Sequence, residues 1–208
     1  MKTMSIFVTG TDTDVGKTLV SAMLMAGLED AHYWKPVQSG SDQGTDAQWI
    51  GQMTGLSQDR FLPETHLLKA YLSPHAAASP EGVRISLDDF QIPLNNGPLI
   101  VEGAGGVMVP LNEKDLMLDL MKTLSLPVLL VARSALGTIN HTLLTLDALR
   151  QQGLDVLGVV MNGPKNPSNK EAIEHYGKTR VVLELEPIGE INRVVLTRLF
   201  EEMKKLWI

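Results

Sequence analysis

Short apolar runs recur along the chain and alternate with longer stretches that are compatible with helices. Continuous apolar runs, rather than strict alternation of polar and apolar residues, are typical of strands buried on both faces. They predict strands at Ser5–Thr9, His32–Val37, Leu99–Glu102, Pro127–Ala132, Asp155–Met161 and Arg180–Leu183. The stretches between them predict helices at Lys17–Leu28, Leu116–Leu124, Thr138–Gln151 and Asn169–Tyr176. This alternation indicates an α/β fold with a doubly wound, mostly parallel sheet.

The stretch from Gln38 to Asn96 interrupts this alternation. It is rich in Gly, Ser, Asp and Pro, and its scattered apolar positions predict only short helices at Asp46–Met53 and Ser86–Phe90. Loops at the carboxyl edge of a parallel sheet usually carry substrate specificity, and we expect the same here. Because no repeat, low-complexity tract or shift in composition marks a boundary, we expect residues 1–208 to form one domain.

Composition narrows the class of protein. The 208 residues are 44% hydrophobic and 20% charged, as in folded domains, and the net charge of -6 disfavours non-specific nucleic-acid binding. The chain has no cysteine, which excludes disulfides and cysteine nucleophiles. No apolar run approaches the roughly 20 residues that span a bilayer, and the start lacks a signal-peptide pattern. We therefore expect a cytoplasmic protein whose partners are neither nucleic acid nor membrane.

A glycine-containing loop follows the first predicted strand and leads into the first helix. It reads Gly10-Thr-Asp-Thr-Asp-Val-Gly-Lys-Thr18, with five residues between the glycines where the generic phosphate-binding loop has four. The Gly16-Lys17-Thr18 end of that motif is intact. Backbone N–H groups at a helix N-terminus can hold phosphate oxygens. The loop thus predicts nucleoside triphosphate binding, with Lys17 at the β- and γ-phosphates and Thr18 at Mg²⁺.

Other polar residues are predicted at the same edge of the sheet. Glu102 ends an apolar strand, and Gly103-Ala104-Gly105-Gly106 after it would let the backbone approach the phosphates. Asp46 is either a further oxygen ligand for the metal or the N-cap of a short helix. Lys35 lies toward the end of the second predicted strand, where it either joins Lys17 over the phosphates or is a solvated surface residue.

Taken together, the motifs resemble the dethiobiotin synthetase family from residue 5 to about residue 163. The matching segments are Gly10–Thr18, Lys35-Pro-Val-Gln-Ser-Gly40, Ser73-Pro-His75, Val101-Glu-Gly-Ala-Gly-Gly106 and Leu136-Gly-Thr-Ile-Asn-His141. The resemblance implies a phosphate-loop NTPase fold of the SIMIBI type. It also implies ATP-dependent carboxylation of 7,8-diaminononanoate by CO₂ and ring closure to dethiobiotin. The reaction would pass through a carbamate and a carbamic-phosphoric anhydride and release ADP and phosphate.

The resemblance also implies roles for individual residues, with Mg²⁺ as cofactor. The expected catalytic residues are Lys17 and Lys35, and the expected metal ligands are Thr18, Asp46 and Glu102. The expected nucleotide-binding residues are Asp14, Val15, Gly16, Lys17, Thr18, Leu19, Asp46, Glu102, Gly103, Ala104, Gly105, Asn162, Gly163 and Asn192. The expected substrate-binding residues are Thr13, Ser39, Leu136, Gly137 and Asn140. The family implies a homodimer with active sites at the subunit interface, where Leu136–Asn140 would serve the partner's site.

Two departures and one alternative accompany this interpretation. Val107 stands where many members have an aromatic residue, and Asn192 stands where proline is common. The alternative is a nucleotide-switch ATPase of the chromosome-partitioning type. Such proteins place a signature lysine early in the loop, where this chain has Asp12, and no amphipathic membrane-targeting tail is evident after Leu199. The five histidines have no metal-ligand spacing, and His75 either orders the substrate loop or begins a helix.

Overall fold

The structure is a computed structural model that describes residues 5–207. Met1–Met4 and Ile208 lie outside the described residues. The expectation that the start of the chain lacks a signal-peptide pattern concerns these first residues in part. The strands are β1 Ile6–Gly10, β2 His32–Trp34, β3 Val37–Gln38, β4 His66–Leu67, β5 Leu99–Gly106, β6 Val128–Arg133, β7 Val156–Asn162 and β8 Val181–Leu185. The helices are α1 Lys17–Gly27, α2 Asp46–Thr54, α3 Pro74–Ala78, α4 Met117–Leu124, α5 Thr138–Gln151, α6 Pro167–Gly177 and α7 Arg193–Trp207.

Six strands form one parallel sheet in the order β2-β5-β1-β6-β7-β8. Strand β1 lies between β5 and β6, with Val8 paired to Glu102 on one side and to Leu129 on the other. After β1, the chain forms β2 and β5 on one side of β1, and it then forms β6, β7 and β8 on the other side. In such a sheet, ligands bind at the carboxyl ends of the strands beside this reversal. The predicted α/β fold is confirmed.

Both faces of the sheet are buried. Ile6 and Val8 of β1 point into an apolar cluster that includes Leu24 of α1. Phe7, between them, points into a second cluster that includes Met121 of α4. Alternate residues of one strand therefore serve two cores. This explains why the strands appear in the sequence as continuous apolar runs.

The predicted strand His32–Val37 is in fact divided between two sheets. Strand β2 ends at Trp34, and Val37–Gln38 forms β3, which pairs in parallel with β4 as a separate two-stranded sheet. Pro36 lies at the break, and proline has no N–H to donate to a strand ladder. The break leaves Lys35 at the carboxyl end of β2, beside the phosphate loop. The predicted helix at Ser86–Phe90 is a single 3₁₀ turn at Leu87–Asp89.

Helix α7 was not predicted. Its apolar residues recur at helical spacing and are buried against the rest of the chain: Leu196, Leu199, Phe200 and Met203. Gly27, at the end of α1, admits the ring of Phe200, which a Cβ at that position would overlap. The apolar face of the helix is thus covered by α1. Within residues 5–207, no helix is long and apolar enough to cross a membrane.

Candidate active site

A cavity of about 590 Å³ opens at the carboxyl ends of β1, β2 and β5. The predicted site residues that line it are Thr13, Asp14, Gly16, Lys17, Thr18, Lys35, Ser39, Asp46, Glu102, Ala104, Gly105 and Asn162. Gln38, Tyr71, Leu72, Ser73, Pro74 and Val109 complete the lining. The fold therefore brings together residues from the phosphate loop, from both sides of the β2–β3 break, and from β5 and β7.

The phosphate loop has a conformation that few residues other than glycine adopt. Gly16 has φ +104° and is packed against the Asn162 side chain, which a Cβ at Gly16 would overlap. Asp14 also has a positive φ, +55°, in a region that aspartate visits more readily than most residues. Asn162 Nδ2 donates a hydrogen bond of 2.9 Å to the Val15 carbonyl. The loop is thus fixed by the end of β7 as well as by its own glycines.

Arg133, at the end of β6, braces the same loop. Its guanidinium donates to Asp12 Oδ2 at 3.2 Å and to the Thr13 carbonyl at 2.8 Å. The Lys17 ammonium donates to the Asp12 carbonyl at 2.9 Å. The sequence analysis did not single out Arg133. A cation directly after the predicted strand Pro127–Ala132 was the signal that could have identified it.

Glu102 is fully buried and accepts four hydrogen bonds. Thr18 Oγ1 and Lys35 Nζ donate to its Oε1 at 3.0 and 3.4 Å. Ser21 Oγ and Tyr33 Oη donate to Oε2 at 2.7 and 3.0 Å. Burial raises the pKa of Glu102, while Lys35 acts in the opposite direction. Burial also raises the pKa of Tyr33, which keeps its hydroxyl a donor to this carboxylate.

Lys35 is a buried ion-pair partner, with 6% of its surface exposed. The alternative of a solvated lysine is therefore wrong. Its ammonium forms ion pairs with the carboxylates of Asp46 and Glu102. Burial alone would lower the pKa of Lys35, but these two carboxylates outweigh it and the pKa is raised. Lys35 is held in the charged state.

Asp46 is the first residue of α2, and the N-cap is Thr45. The Thr45 hydroxyl accepts from Gln48 N, and the Gln48 side chain accepts from Thr45 N, which forms a capping box. The N-cap alternative for Asp46 is thus wrong, and its carboxylate is free to face the cavity. Burial acts to raise the pKa of Asp46, but the neighbouring Lys35 outweighs it and the pKa is lowered.

Lys17 differs from Lys35 in its surroundings. It is 7% exposed and, within residues 5–207, forms no ion pair. Burial lowers its pKa and the Lys35 charge acts in the same direction, although Glu102 and Asp46 oppose them. The charged form of Lys17 is therefore disfavoured in this cavity, which an anionic ligand would reverse.

The oxygen atoms expected to hold a metal converge. Carboxylates of Asp46 and Glu102 both contact one cation, the Lys35 ammonium, and Thr18 Oγ1 lies 3.0 Å from Glu102 Oε1. Hard oxygen donors of this kind suit Mg²⁺, whose remaining ligands are usually phosphate oxygens and water. In residues 5–207, no group of three or more His, Asp or Glu side chains could hold a metal. A metal held by Thr18, Asp46 and Glu102 would need its remaining ligands from phosphate or water.

Several expected nucleotide-binding residues do not line the cavity. Val15 is buried in the core beneath the loop, and Leu19 packs against the same core. Gly103 faces the ring of Phe7, and Gly163 faces Ser134. Asn192 Oδ1 accepts from Val195 N at 3.1 Å at the start of α7. The nucleotide-binding roles expected for these residues stay predictions.

Leu136, Gly137 and Asn140 lie at the start of α5 and are exposed. None of them is among the residues that line the cavity of their own chain. The resemblance assigned them to the partner's site, so their role also stays a prediction. His75 is the second residue of α3, and its Nδ1 lies 3.1 Å from Ser73 Oγ.

Six of the residues that line the cavity had no expected role: Gln38, Tyr71, Leu72, Ser73, Pro74 and Val109. Gln38 Oε1 accepts from Asp46 N at 3.0 Å and so joins the β2–β3 segment to α2. Tyr71 and Leu72 form one wall beside the Ser73-Pro74 segment. No periodicity or charge pattern marks these two residues in the sequence.

Comparison with known proteins identifies the family. A family profile described as an AAA domain matches residues 4–195. An ATP-dependent dethiobiotin synthetase BioD of Paramagnetospirillum magneticum is 52% identical over 93% of this chain and 93% of its own length. A protein of the same name from Rhodopseudomonas palustris is 45% identical over 96% of this chain and 95% of its own length.

Solved structures with a similar fold are more distant in sequence. A plasmid partition protein of Borrelia burgdorferi bound to AMPPNP has a TM-score of 0.57 at 11% identity, covering 99% of this chain and 98% of its own. The MinC:MinD cell division complex of Aquifex aeolicus has a TM-score of 0.60 at 13% identity, and the match covers 97% of this chain and 94% of that chain. At these identities they show the phosphate-loop NTPase fold alone. The full-length relatives decide the family: the chain belongs to the dethiobiotin synthetases.

Proposed function

We propose that the protein catalyses the ATP-dependent carboxylation and ring closure of 7,8-diaminononanoate to dethiobiotin. One amine adds to CO₂ to give a carbamate, and a carbamate oxygen takes the γ-phosphoryl group as ADP leaves. The second amine then attacks the carbonyl carbon of this anhydride, and phosphate departs as the ureido ring closes. The observation that carries the proposal is that two buried lysines, Lys17 and Lys35, line one cavity with the phosphate loop.

The nucleotide would lie along the phosphate loop. N–H groups of residues 14–19 at the N-terminus of α1 can donate to phosphate oxygens, and Lys17 lies beside them. At the end of the cavity formed by β7, Asn162 would contact the base, and we propose Gly163 and Asn192 as further contacts. The Asn162 side chain keeps Oδ1 available while Nδ2 holds Val15.

The diamine would bind on the side of Lys35, Ser39 and Thr13. Attack on CO₂ needs a neutral amine, and two nearby ammonium groups disfavour a third by like-charge repulsion. The same lysines would stabilise the carbamate anion and the phosphoryl group in transfer. Positioning carries most of the remaining catalysis, because phosphoryl transfer requires little covalent work by the protein.

We propose Thr18, Asp46 and Glu102 as the residues that hold Mg²⁺. When bound, Mg²⁺ neutralises charge on the triphosphate. The protein's own part is to hold a charged Lys35 between the two carboxylates, which lowers the pKa of Asp46 and opposes the rise that burial causes in the pKa of Glu102. The hydroxyl groups of Ser21 and Tyr33 orient Glu102 from behind.

We further propose a cytoplasmic homodimer with active sites at the subunit interface. Leu136, Gly137 and Asn140 are exposed and do not line the cavity of their own chain, which supports a role in the partner's site. Light scattering on the purified protein measures the mass of the assembly. Cell fractionation followed by immunodetection tests the location.

A product assay detected by mass spectrometry tests the proposed reaction. With 7,8-diaminononanoate, bicarbonate, Mg²⁺ and ATP, we expect dethiobiotin and an equal amount of ADP. Omission of either the diamine or bicarbonate should reduce ADP formation to background. Equal ATP turnover without the diamine would contradict the proposal and favour a nucleotide-switch ATPase.

A further inference from the structure

Tyr71 and Leu72 are exposed, largely apolar residues in the lining of a cavity whose other lining residues are mostly polar. Both line the cavity, yet 63% of Tyr71 and 54% of Leu72 is exposed. Phosphate oxygens and a metal ion gain nothing from this surface. Apolar side chains that line a concave polar site are instead typical of a ligand with a hydrocarbon part.

The position of this wall is fixed by the main chain. Gly40 N donates to the Ala70 carbonyl at 3.0 Å, and Ser41 N donates to the Leu68 carbonyl at 3.1 Å. The Tyr71 ring lies against Gly40, where a Cβ would come within 2.6 Å of Tyr71 Cδ2. These contacts hold Tyr71 and Leu72 in position although both residues are exposed.

Tyr71 also reaches the phosphate loop. Its hydroxyl lies 3.4 Å from Asp14 Oδ2 on the phosphate loop, a long and exposed hydrogen bond that contributes little. The ring, rather than the hydroxyl, is thus the larger part of what Tyr71 presents to a ligand.

The wall lies at the diamine end of the cavity. It is joined to Gly40, close to Ser39 and to the Lys35 end of β2, whereas Asn162 ends β7. The order β2-β5-β1-β6-β7 places four strand spacings, at about 4.8 Å each roughly 19 Å, between the strand that leads to Ser39 and the strand that ends at Asn162. The Tyr71 hydroxyl itself lies nearer to Asn162, because it is 3.4 Å from Asp14 and Asn162 donates to the carbonyl of the next residue, Val15. The main-chain link to Gly40 thus places the wall on the Ser39 side of the phosphate loop.

We propose that Tyr71 and Leu72 bind the hydrocarbon chain of the substrate and select a vicinal diamine that carries such a chain. This inference rests on the proposed function and adds a specificity determinant to it. The reacting amines would lie at Lys35, and the methylene groups would run over the wall. Burial of one methylene group changes affinity about fourfold, so contacts with one or two of them correspond to roughly a tenfold effect.

The test compares two substrates that share the reacting amines. 7,8-Diaminononanoate has the chain, and 1,2-diaminopropane lacks it. For Tyr71→Ala and for Leu72→Ala, we expect the KM for 7,8-diaminononanoate to rise roughly tenfold. The KM for ATP and the kcat should stay within about twofold of the unmodified protein, as should kcat/KM for 1,2-diaminopropane. Tyr71→Phe, which keeps the ring, should bind the long substrate like the unmodified protein.

Tyr176→Ala is the matched control, because Tyr176 is 69% exposed and is not among the residues that line the cavity. Tyr176→Ala should change neither the KM for 7,8-diaminononanoate nor the KM for ATP. Equal losses with both diamines would overturn the inference and show that Tyr71 acts through Asp14. A raised KM for ATP would overturn it in favour of contact with the nucleotide. If the unmodified protein forms no dethiobiotin, the proposed function fails instead.

Calorimetry supplies a second readout that does not depend on turnover of the short diamine. Binding of 7,8-diaminononanoate should show a negative heat-capacity change from burial of apolar surface. That change should become smaller in magnitude in Tyr71→Ala and Leu72→Ala. An unchanged heat capacity and dissociation constant in both variants would contradict the proposed wall.

Discussion

Replacing Lys35 with methionine should lower the thermal stability of the protein, whereas the same replacement of Lys17 should not. Both lysines are nearly buried, at 6% and 7% exposure, and both line the same cavity. They differ in partners, since Lys35 forms ion pairs with Asp46 and Glu102 and Lys17 donates to a main-chain carbonyl. The pair of variants therefore separates the cost of losing a buried ion-pair partner from the cost of losing a lysine.

The loss of stability expected for Lys35→Met can be worked out from the structure. Without the ammonium, fully buried Glu102 loses its cation and Asp46, with a side chain 25% exposed, loses its partner. Removing one member of a buried ion pair costs about 3 kcal/mol or more. For a chain of this length, that lowers the melting temperature by roughly 6–12 °C.

Whether each variant loses or gains stability follows from the direction in which the pKa of the replaced lysine is shifted. The raised pKa of Lys35 means that its charge contributes stability below pH 10.5, and the contribution is lost as the pH rises through the higher folded value. The lowered pKa of Lys17 means that its charge costs stability at neutral pH. Lys17→Met should therefore leave the melting temperature unchanged or raise it.

Differential scanning calorimetry at pH 7 to 8 without nucleotide measures both effects, and circular dichroism confirms that the variants fold. Dethiobiotin formation should be lost in both. Nucleotide binding should survive in the Lys35 variant and fail in the Lys17 variant. An unchanged melting temperature for Lys35→Met, or an equal decrease for both variants, would refute the reasoning from ion pairing.

Three further outcomes are expected. Glu102→Gln keeps the shape of the side chain but removes a carboxylate at the proposed metal site, so ATP affinity in equilibrium dialysis should lose its dependence on Mg²⁺; a retained dependence argues against Glu102 as a ligand. Mixing inactive Lys35→Ala and Asn140→Ala proteins should restore about a quarter of the activity through mixed dimers with one intact site, and no recovery under subunit exchange would count against a shared site. Because the pKa of Lys17 is lowered from 10.5, the dissociation constant of ATP should rise as the pH increases through that lowered value. Lys17→Arg, which stays charged, should show a flatter profile, and an equally steep one would mean that another group titrates.

The parts of the site that were predictable are contiguous in the sequence. The phosphate loop directly follows buried strand β1, and Glu102 lies within β5, which continues to Gly106 instead of ending at Glu102 as expected. Both line the same cavity. The role of Asp46 was left open between a metal ligand and a helix N-cap, although Thr45 and Gln48 have the spacing of a capping box. Helix α7 was missed, although it could have been predicted because its apolar residues follow the helical period.

The remaining parts depend on contacts that leave little pattern in the sequence. Tyr71 reaches the cavity because residues 68–70 pair with residues 40 and 41, next to strands of only two residues each. Strands this short cannot show alternation. Arg133 is close to Asp12 only because β6 and β1 are neighbours, which strand order decides and local sequence does not.

The sequence analysis placed Lys17 at the phosphates and left Lys35 between two alternatives, and the structure now shows how their environments differ. Lys35 already has two carboxylate partners, so a bound triphosphate adds comparatively little to the stability of its charge. Among residues 5–207, the Lys17 ammonium donates only to a carbonyl oxygen, and Lys17 carries its charge at a cost. A triphosphate supplies the anionic partner that the fold does not, and the relief of this cost adds to nucleotide affinity. Nucleotide binding should therefore depend mainly on Lys17, and the later chemistry mainly on Lys35, whose charge the protein maintains by itself.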